Sequence, residues 1–269
     1  MADKYLHRSD APFSEKVWER IDEIVVGAAK SQLCARRLVH IEGPYGLGLK
    51  AIPGTDRTIS GSQGEVSLAV STTVPMVELQ SSFILPMRDI SAFEETGLPF
   101  MSGEIAAAAV ACAEQEDQLI FNGSKAVGCD GLLTAKGTQS LKLKPWEKVG
   151  TAVDNLIEAV GKLDGAAFHG PYALALAAPL YNLLFRRYPQ GNVTEREHLA
   201  QLVTEGIVKA PALKSGGVLL ASGRQYATIV LGQDLAASFV GPEGRAYQFA
   251  VSESVALRLV APEAVCVLQ

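Results

Sequence analysis

Residues that carry chemistry are scarce in this 269-residue chain, which has four histidines, four cysteines and two tryptophans, with aromatics at 7%. Cys34, Cys112, Cys129 and Cys266 lie far apart, with no C-x-x-C and no histidine at zinc-finger spacing. No metal site is expected, and each thiol reads as a packing residue, the usual fate of a free cysteine. A G-x-S-x-G elbow, a G-x-x-x-x-G-K-S/T phosphate loop, an H-E-x-x-H helix and a G-x-G-x-x-G turn are all missing. No apolar run approaches the roughly 18 residues of a membrane span. Basic charge is not in excess either: 24 Lys and Arg stand against 29 Asp and Glu, a balance that argues against a general nucleic-acid binder. The first residues, Met1 to Tyr5, lack the charged-then-apolar order of a secretory signal, so the chain reads as cytosolic and reduced.

What is present is a core. At 48% hydrophobic content, a chain of this length can bury roughly 70 to 75% of its unfolded surface without disulfides or a structural metal. Residues 14–33 place Val17, Trp18, Ile21, Ile24, Val25, Ala28 and Ala29 at helical spacing, with Pro12 just before and Ser14 as N-cap. Residues 102–121 form the strongest helix, Ala-rich and closed by Asn122-Gly123; its small residues allow close approach of another element. A third helix is expected over 146–163, behind Pro145, with Val149, Val153, Leu156, Ile157, Val160 and Leu163 on one face. Between 170 and 223 a strand, two short helices and two short strands make an α/β lobe, and strands follow at 226–231, 247–254, 256–260 and 265–268.

Residues 46–62 are glycine-rich, 65–74 are rich in β-branched residues, and 76–85 alternate apolar and polar side chains. A long hairpin of this kind buries too little apolar surface to stand alone, which points to obligate assembly.

His7, His40, His169 and His198 with Cys34 or Cys129 would make a thiol hydrolase only by chance pairing. Glu114, Glu116 and Asp117 do not converge on a metal, and read as a solvated helix face. Arg186, Arg187, Arg196 and His198 make a small basic patch at a loop tip, for which exposure without function is an equal reading. Gly43 to Gly48 is a strand exit, with no helix or Lys-Ser/Thr pair behind it.

One resemblance runs from end to end. A Leu6-x-Arg8 start, Ala11-Pro12, Trp18, Arg36-Arg37, Glu42-Gly43-Pro44, Glu116-Asp117-x-x-Ile120-Phe121-x-Gly123, Gly131-Leu132, Gly170-Pro171-Tyr172, Arg196-Glu197-His198-Leu199, Ala210-Pro211, Leu231-Gly232-Gln233-Asp234 and Pro262-Glu263-Ala264 follow one another with matching spacing. In that order the sequence resembles the encapsulin shell proteins, also called the linocin or bacteriocin-like capsid family.

The resemblance implies an α+β fold of the tailed-phage major capsid (Hong Kong 97) type, with a peripheral domain, an axial domain and an extended loop. The expected parts are 1–45 (N-terminal helix and start of the peripheral domain), 46–77 (extended loop), 78–130 (peripheral domain with the spine helix), 131–223 (axial domain) and 224–269 (peripheral strands). It further implies a non-enzymatic subunit of a cytoplasmic, closed icosahedral shell of about sixty copies. Such a shell packages a cargo enzyme, a dye-decolourising peroxidase or a ferritin-like iron-oxidising protein, through the cargo's C-terminal targeting peptide. The peptide site carried over comprises Ile24, Ala28, Ala29, Arg36, Arg37, Ile41, Asp234 and Leu235. The five-fold pore rim comprises Arg187, Pro189, Gln190, Gly191, Asn192 and Val193, in a field set also by Arg186, Glu195, Arg196 and His198. Where some members hold a flavin against a tryptophan, this chain has Arg88, and no cofactor is expected. A phage or prophage capsid protein, and a bacteriocin-like or thiol-protease enzyme, are the rival readings.

Overall fold

The computed structural model describes residues 2–54, 57–60 and 67–269. In chain order the helices are α1 (Glu15–Gln32), α2 (Met87–Thr96), α3 (Gly103–Asn122), α4 (Thr151–Gly165), α5 (Ala178–Leu183) and α6 (Glu195–Leu202). The strands are β1 (His40–Glu42), β2 (Ala51–Pro53), β3 (Arg57–Ser60), β4 (Ser67–Val70), β5 (Thr73–Pro75), β6 (Val77–Pro86), β7 (Gln139–Leu141), β8 (Tyr172–Leu176), β9 (Gly206–Lys209), β10 (Gly217–Ala221), β11 (Ala227–Leu231), β12 (Ala236–Glu243), β13 (Ala246–Leu259) and β14 (Val265–Leu268).

The long strand β13 organises the first sheet. On one side it pairs antiparallel with β6, from Ala246 opposite Pro86 to Val255 opposite Val77. Its other side is shared in succession by β12, along Ala246 to Ser252, and β11, along Val255 to Leu259, with β1 parallel outside β11. The sequence broke β13 into two strands at Val255 and missed β12 and α2. In the fold β13 runs unbroken because both of its edges are paired. The alternating run at 76–85 is β6 of this sheet, not part of the hairpin arm, and its alternate burial matches a strand with one face on the core.

Helix α1 forms where expected and buries Val17, Trp18, Ile21 and Val25 beside Ala108, Ala109 and Cys112 of α3. The small residues on α3 let the two helices approach, as the Ala-rich pattern predicted. Ser14 caps α1 only in position: its side chain makes no capping bond, and its N–H donates to Glu94 Oε1 of α2 at 2.7 Å.

Helix α4 begins at Thr151, five residues later than the sequence implied. Gly150 has φ +100°, outside helical space, and Trp146 turns into the core, where its Nε1 donates to Asn155 Oδ1 at 3.0 Å. The buried face is Ala152, Leu156, Ala159, Val160 and Leu163, which leaves Ile157 55% exposed.

The second sheet has the order β7-β14-β10-β8-β9. Every residue of β8 and β10 is buried, and the period of two sorts their side chains between two layers. Leu174, Leu176 and Leu219 pack under α4 and α6, while Ala173, Ala175, Val218 and Leu220 meet Ile229, Leu231, Val255 and Leu257 of the first sheet. That shared layer makes the two sheets one body. The final strand β14 lies inside the second sheet, antiparallel to β10 and parallel to β7, and not with β11 to β13 as its grouping in 224–269 implied. Its four residues are all buried there.

Between β1 and β6 an arm leaves the body. At its base β2 pairs with β5, and Ile52 packs on Val230 and Ala256. Farther out, β3 and β4 pair with each other and with no other described strand. Positions 55, 56 and 61–66, within the glycine-rich and β-branched stretches read from the sequence, lie outside the described residues.

Candidate functional site

The chain from α1 to β1 is held by acids of α3. Asp117 accepts the N–H of Cys34 at 3.0 Å and of Ala35 at 2.9 Å, and the Cys34 thiol donates to its Oδ2 at 2.8 Å. Burial, then the Asp117 charge, pushes the thiol of Cys34 well above the ordinary cysteine range, so at neutral pH it is a protonated donor and no nucleophile. Burial also raises Asp117 against the lowering effect of its three donors.

Beside it, Arg36 closes a four-way clasp. Its Nε donates to Glu116 Oε1 at 2.8 Å, its Nη2 to Glu116 Oε2 at 2.7 Å and Glu253 Oε2 at 2.8 Å, and its Nη1 to Asp234 Oδ1 at 2.8 Å. Glu116 and Glu253 are 0% and 1% exposed, and the second oxygen of Glu253 is buried without a partner among the described residues. Burial first, then repulsion from Glu116, raises Glu253 to about 9, outweighing the pull of Arg36. The reading of Glu114, Glu116 and Asp117 as a solvated face therefore holds only for Glu114; the other two are buried, because the 3-10 turn Ala35–Arg37 and β13 cover that side of α3.

Asp234 belongs to the crossing where the chain leaves β11 and enters β12, both along β13. Here Gly232 N donates to Ser254 O, Ser254 N to Gln233 O, and Gln233 N to Ser254 Oγ at 2.8 Å. A Cβ on Gly232 would collide with Ser254 Oγ, which is why the Leu231-Gly232-Gln233-Asp234 motif needs glycine.

Next to this crossing opens a groove of about 570 Å³, largely apolar, walled by Tyr5, Leu6, Tyr45, Leu47, Leu235 and Ala236. Its two tyrosines are each 59% exposed. The N-terminal wall is fixed by Arg8, which grips Asp22 through both carboxylate oxygens at 2.7 and 2.6 Å, and by Phe239 N donating to Leu6 O. The opposite wall is fixed by Tyr45 N donating to Leu231 O at 3.0 Å and Gly46 N to Gly232 O at 2.6 Å. Gly43, at φ +111°, lies so close to the Leu231 carbonyl that no Cβ fits.

Of the eight residues expected to bind a peptide, the structure gathers Ile24, Ala28, Ala29 and Leu235 in adjoining apolar clusters, and pairs Arg36 with Asp234. Ala29 is only 3% exposed, under the surface, and the contacts of Arg36 are internal. Arg37 lines a separate pocket, and Ile41 sits on the edge strand β1. Tyr5, Tyr45 and Leu47 went unnoticed as site residues; the motifs around Leu6 and Pro44 marked their place without revealing that they meet.

The loop expected at a pore stands out from α6. Arg187 and Thr194 form a bridge at its base, Tyr188 N donates to Val193 O, and Thr194 with Glu197 forms a capping box for α6. Pro189, Gln190, Gly191, Asn192 and Val193 are exposed at the tip, as is Arg187. The field assigned to this loop loses two members. Arg186 pairs with Glu195, which is 0% exposed, at 2.9 Å, and donates to the carbonyls of Trp146 and Glu147, while Gly150 N donates to Glu195 at 2.7 Å. Arg196 lies over the Phe185 ring, and His198 is exposed beside Tyr188. Arg88 sits in the first turn of α2.

A protein-family model described as "Encapsulating protein for peroxidase" matches residues 3–256. The type 1 encapsulin shell protein EncA of Myxococcus xanthus is 32% identical over 277 residues, covering 98% of this chain and 96% of that protein. A virus-like particle from Pyrococcus furiosus aligns with TM-score 0.74 at 20% identity over 94% of this chain and 99% of that one. The capsid of Myoviridae phage XM1 aligns with TM-score 0.63 at 13% identity, over 86% and 88%. The two solved structures establish the fold: it is the α+β capsid fold of tailed phages.

Proposed function

The chain belongs to the encapsulin shell-protein family, whose members are wall subunits and not enzymes, and from that premise we propose that it encloses a cargo enzyme in a closed icosahedral shell of about sixty copies. The observation that carries the assembly is the distal ribbon β3–β4. Two strands with no third partner are marginal in water, so this ribbon calls for a surface on a neighbouring copy. In this reading the body around α1, α3 and the first sheet is the peripheral domain, the second sheet with α4 to α6 is the axial domain, and β14 ties the chain's end to the latter.

Cargo is a peroxidase or a ferritin-like iron-oxidising protein whose C-terminal peptide lies in the groove of Tyr5, Tyr45 and Leu235, extending toward Ile24 and Ala28. The groove's apolar walls fit a short segment with a few hydrophobic anchors, and many copies in one shell raise the effective affinity. Arg36 and Asp234 shape the groove from behind, and Ala29 supports it from below. The loop 189–193 rims a pore, with Arg187 and His198 facing outward. Among the described residues no helix is long and apolar enough to cross a membrane, and the compartment belongs to the cytoplasm.

Electron microscopy of the protein purified alone tests the shell. Uniform hollow particles without DNA are expected; particles filled with DNA would make it a phage capsid, and discrete monomers would sink the assembly. Co-expression with a peroxidase carrying the tail tests the groove. Leu235→Glu or Ala28→Glu should give intact but empty shells, whereas unchanged loading would move the site elsewhere. Ala29→Glu is a poor probe, because Ala29 is buried.

A further inference from the structure

At the seam between the two sheets lies a pocket of about 360 Å³. It is built from the turn before β1, the starts of β8 and β9, the end of β10 and the link into β11. Arg37, His40 and Arg224 line it, together with Ser222 and Gly223, and Glu205 is the one acid on the wall. Arg36 also touches it, but that charge is already met by Glu116 and Asp234.

The side chains of Arg37, His40 and Arg224 have no ion pair or hydrogen bond among the described residues. Glu42, an acid that feels the charge of Arg224, is already held by Arg258 and Tyr45. The hydroxyl of Ser222 is buried and has no hydrogen-bond partner among the described residues. A buried hydroxyl without a partner is costly, and Ser222 shares the wall of this pocket with two arginines, whose planar guanidinium forks match an oxyanion in bidentate fashion.

We propose that this pocket binds a phosphate-type oxyanion, held by Arg37 and Arg224 with Ser222 Oγ donating to it and His40 at the rim. A single phosphoryl group fills part of the space, and a diphosphate fits it better. Glu205 limits the positive charge and so favours a compact anion seated on the arginines over a long polyanion lying across the mouth. The site is complete within one chain, so it stands or falls apart from the shell reading.

The test is calorimetric titration of the full chain, in whatever assembly state it purifies, with pyrophosphate and with inorganic phosphate, against sodium chloride at equal ionic strength. Saturable binding of one pyrophosphate per chain is expected, tighter than inorganic phosphate. Arg37→Ala and Arg224→Ala should each weaken it by about tenfold, as loss of one charge-assisted hydrogen bond does. Ser222→Ala should weaken binding while leaving the ligand-free melting temperature equal or higher, a combination that a purely structural serine would not give. Lys142→Ala, a surface charge elsewhere, should change nothing. An ADP arm separates the sources of the anion: tighter binding than pyrophosphate assigns a nucleotide diphosphate, equal or weaker binding a free one. Absence of binding, heat that follows ionic strength alone, or full binding by the double variant Arg37→Ala/Arg224→Ala would overturn the site.

Discussion

Two arginines, 150 residues apart, do the same structural work in different charge surroundings. Arg186 meets one fully buried carboxylate, Glu195, whose other oxygen accepts the Gly150 N–H. Arg36 meets three carboxylates, two of them fully buried, and Glu253 is left with an oxygen that no described residue satisfies. The first clasp is balanced and fixes the base of a loop. The second carries more acid than one guanidinium neutralises, and it joins the 3-10 turn after α1 to α3, β13 and the β11–β12 crossing. A balanced pair supports local geometry, whereas an overloaded one makes the whole fold sensitive to protons.

The largest break in this comparison is Arg36→Met. It leaves Glu116 and Glu253 buried without their cation, and removing one partner of a buried pair costs about 3 to 5 kcal/mol. Chemical denaturation should show a loss in that range or no folded protein. Arg186→Met should cost less, about 2 to 3 kcal/mol, since its side chain is more exposed, 25% against 14%. Equal losses would mean that the number of acids around the arginine is irrelevant.

The next effect is one of slope. Glu253 has its ordinary value near 4.5 when unfolded and about 9 when folded, so the folded chain binds the extra proton. Its contribution is greatest below about 4.5 and is lost as pH rises toward about 9. Glu253→Gln, a permanently neutral analogue, should stay within about 1 kcal/mol of the parent at pH 5 and become the more stable of the two at pH 9. Unfolding curves across that range check the crossing; parallel curves would show that the clasp holds no proton. The smallest effect is expected at the loop that Arg186 supports. Asn192→Ala at the exposed tip should change stability by no more than about 0.5 kcal/mol, while altering iron or peroxide flux through assembled particles if the loop rims a pore.

Local elements were legible and distant meetings were not. The spacing of Val17, Trp18, Ile21 and Val25 gave α1, and the alanines from Ala106 to Ala109 gave α3 and its close packing. The ordered motifs gave the family. The β12 segment was missed because Pro242, Gly241 and a bulge near Phe239 interrupt its pattern, and pairing to β13 overrides that weakness. The start of α4 was misplaced because Trp146, read as helical, reaches the core from a turn. Within the candidate site, Leu235 and Ala28 were named only through the family resemblance, and the structure sets them in adjoining apolar clusters. Arg36, Glu116, Asp234 and Glu253 could not be joined, since 217 residues separate the outermost pair and nothing local distinguishes a buried glutamate from a solvated one. Tyr5 and Tyr45 were invisible for the same reason: each borders its own strand or turn, and only the crossing after β11 brings them to one groove.

The placement of β14 has a consequence for timing. It fills the gap between β7 and β10, so until Val265 to Leu268 emerge from the ribosome, β7 has no strand beside it and one edge of β10 is open. The two sheets share a single apolar layer, and Val265 is part of it. A nascent chain therefore cannot close its interior before Val265 to Leu268 have been made: the apolar layer that both sheets share stays open on this side until then.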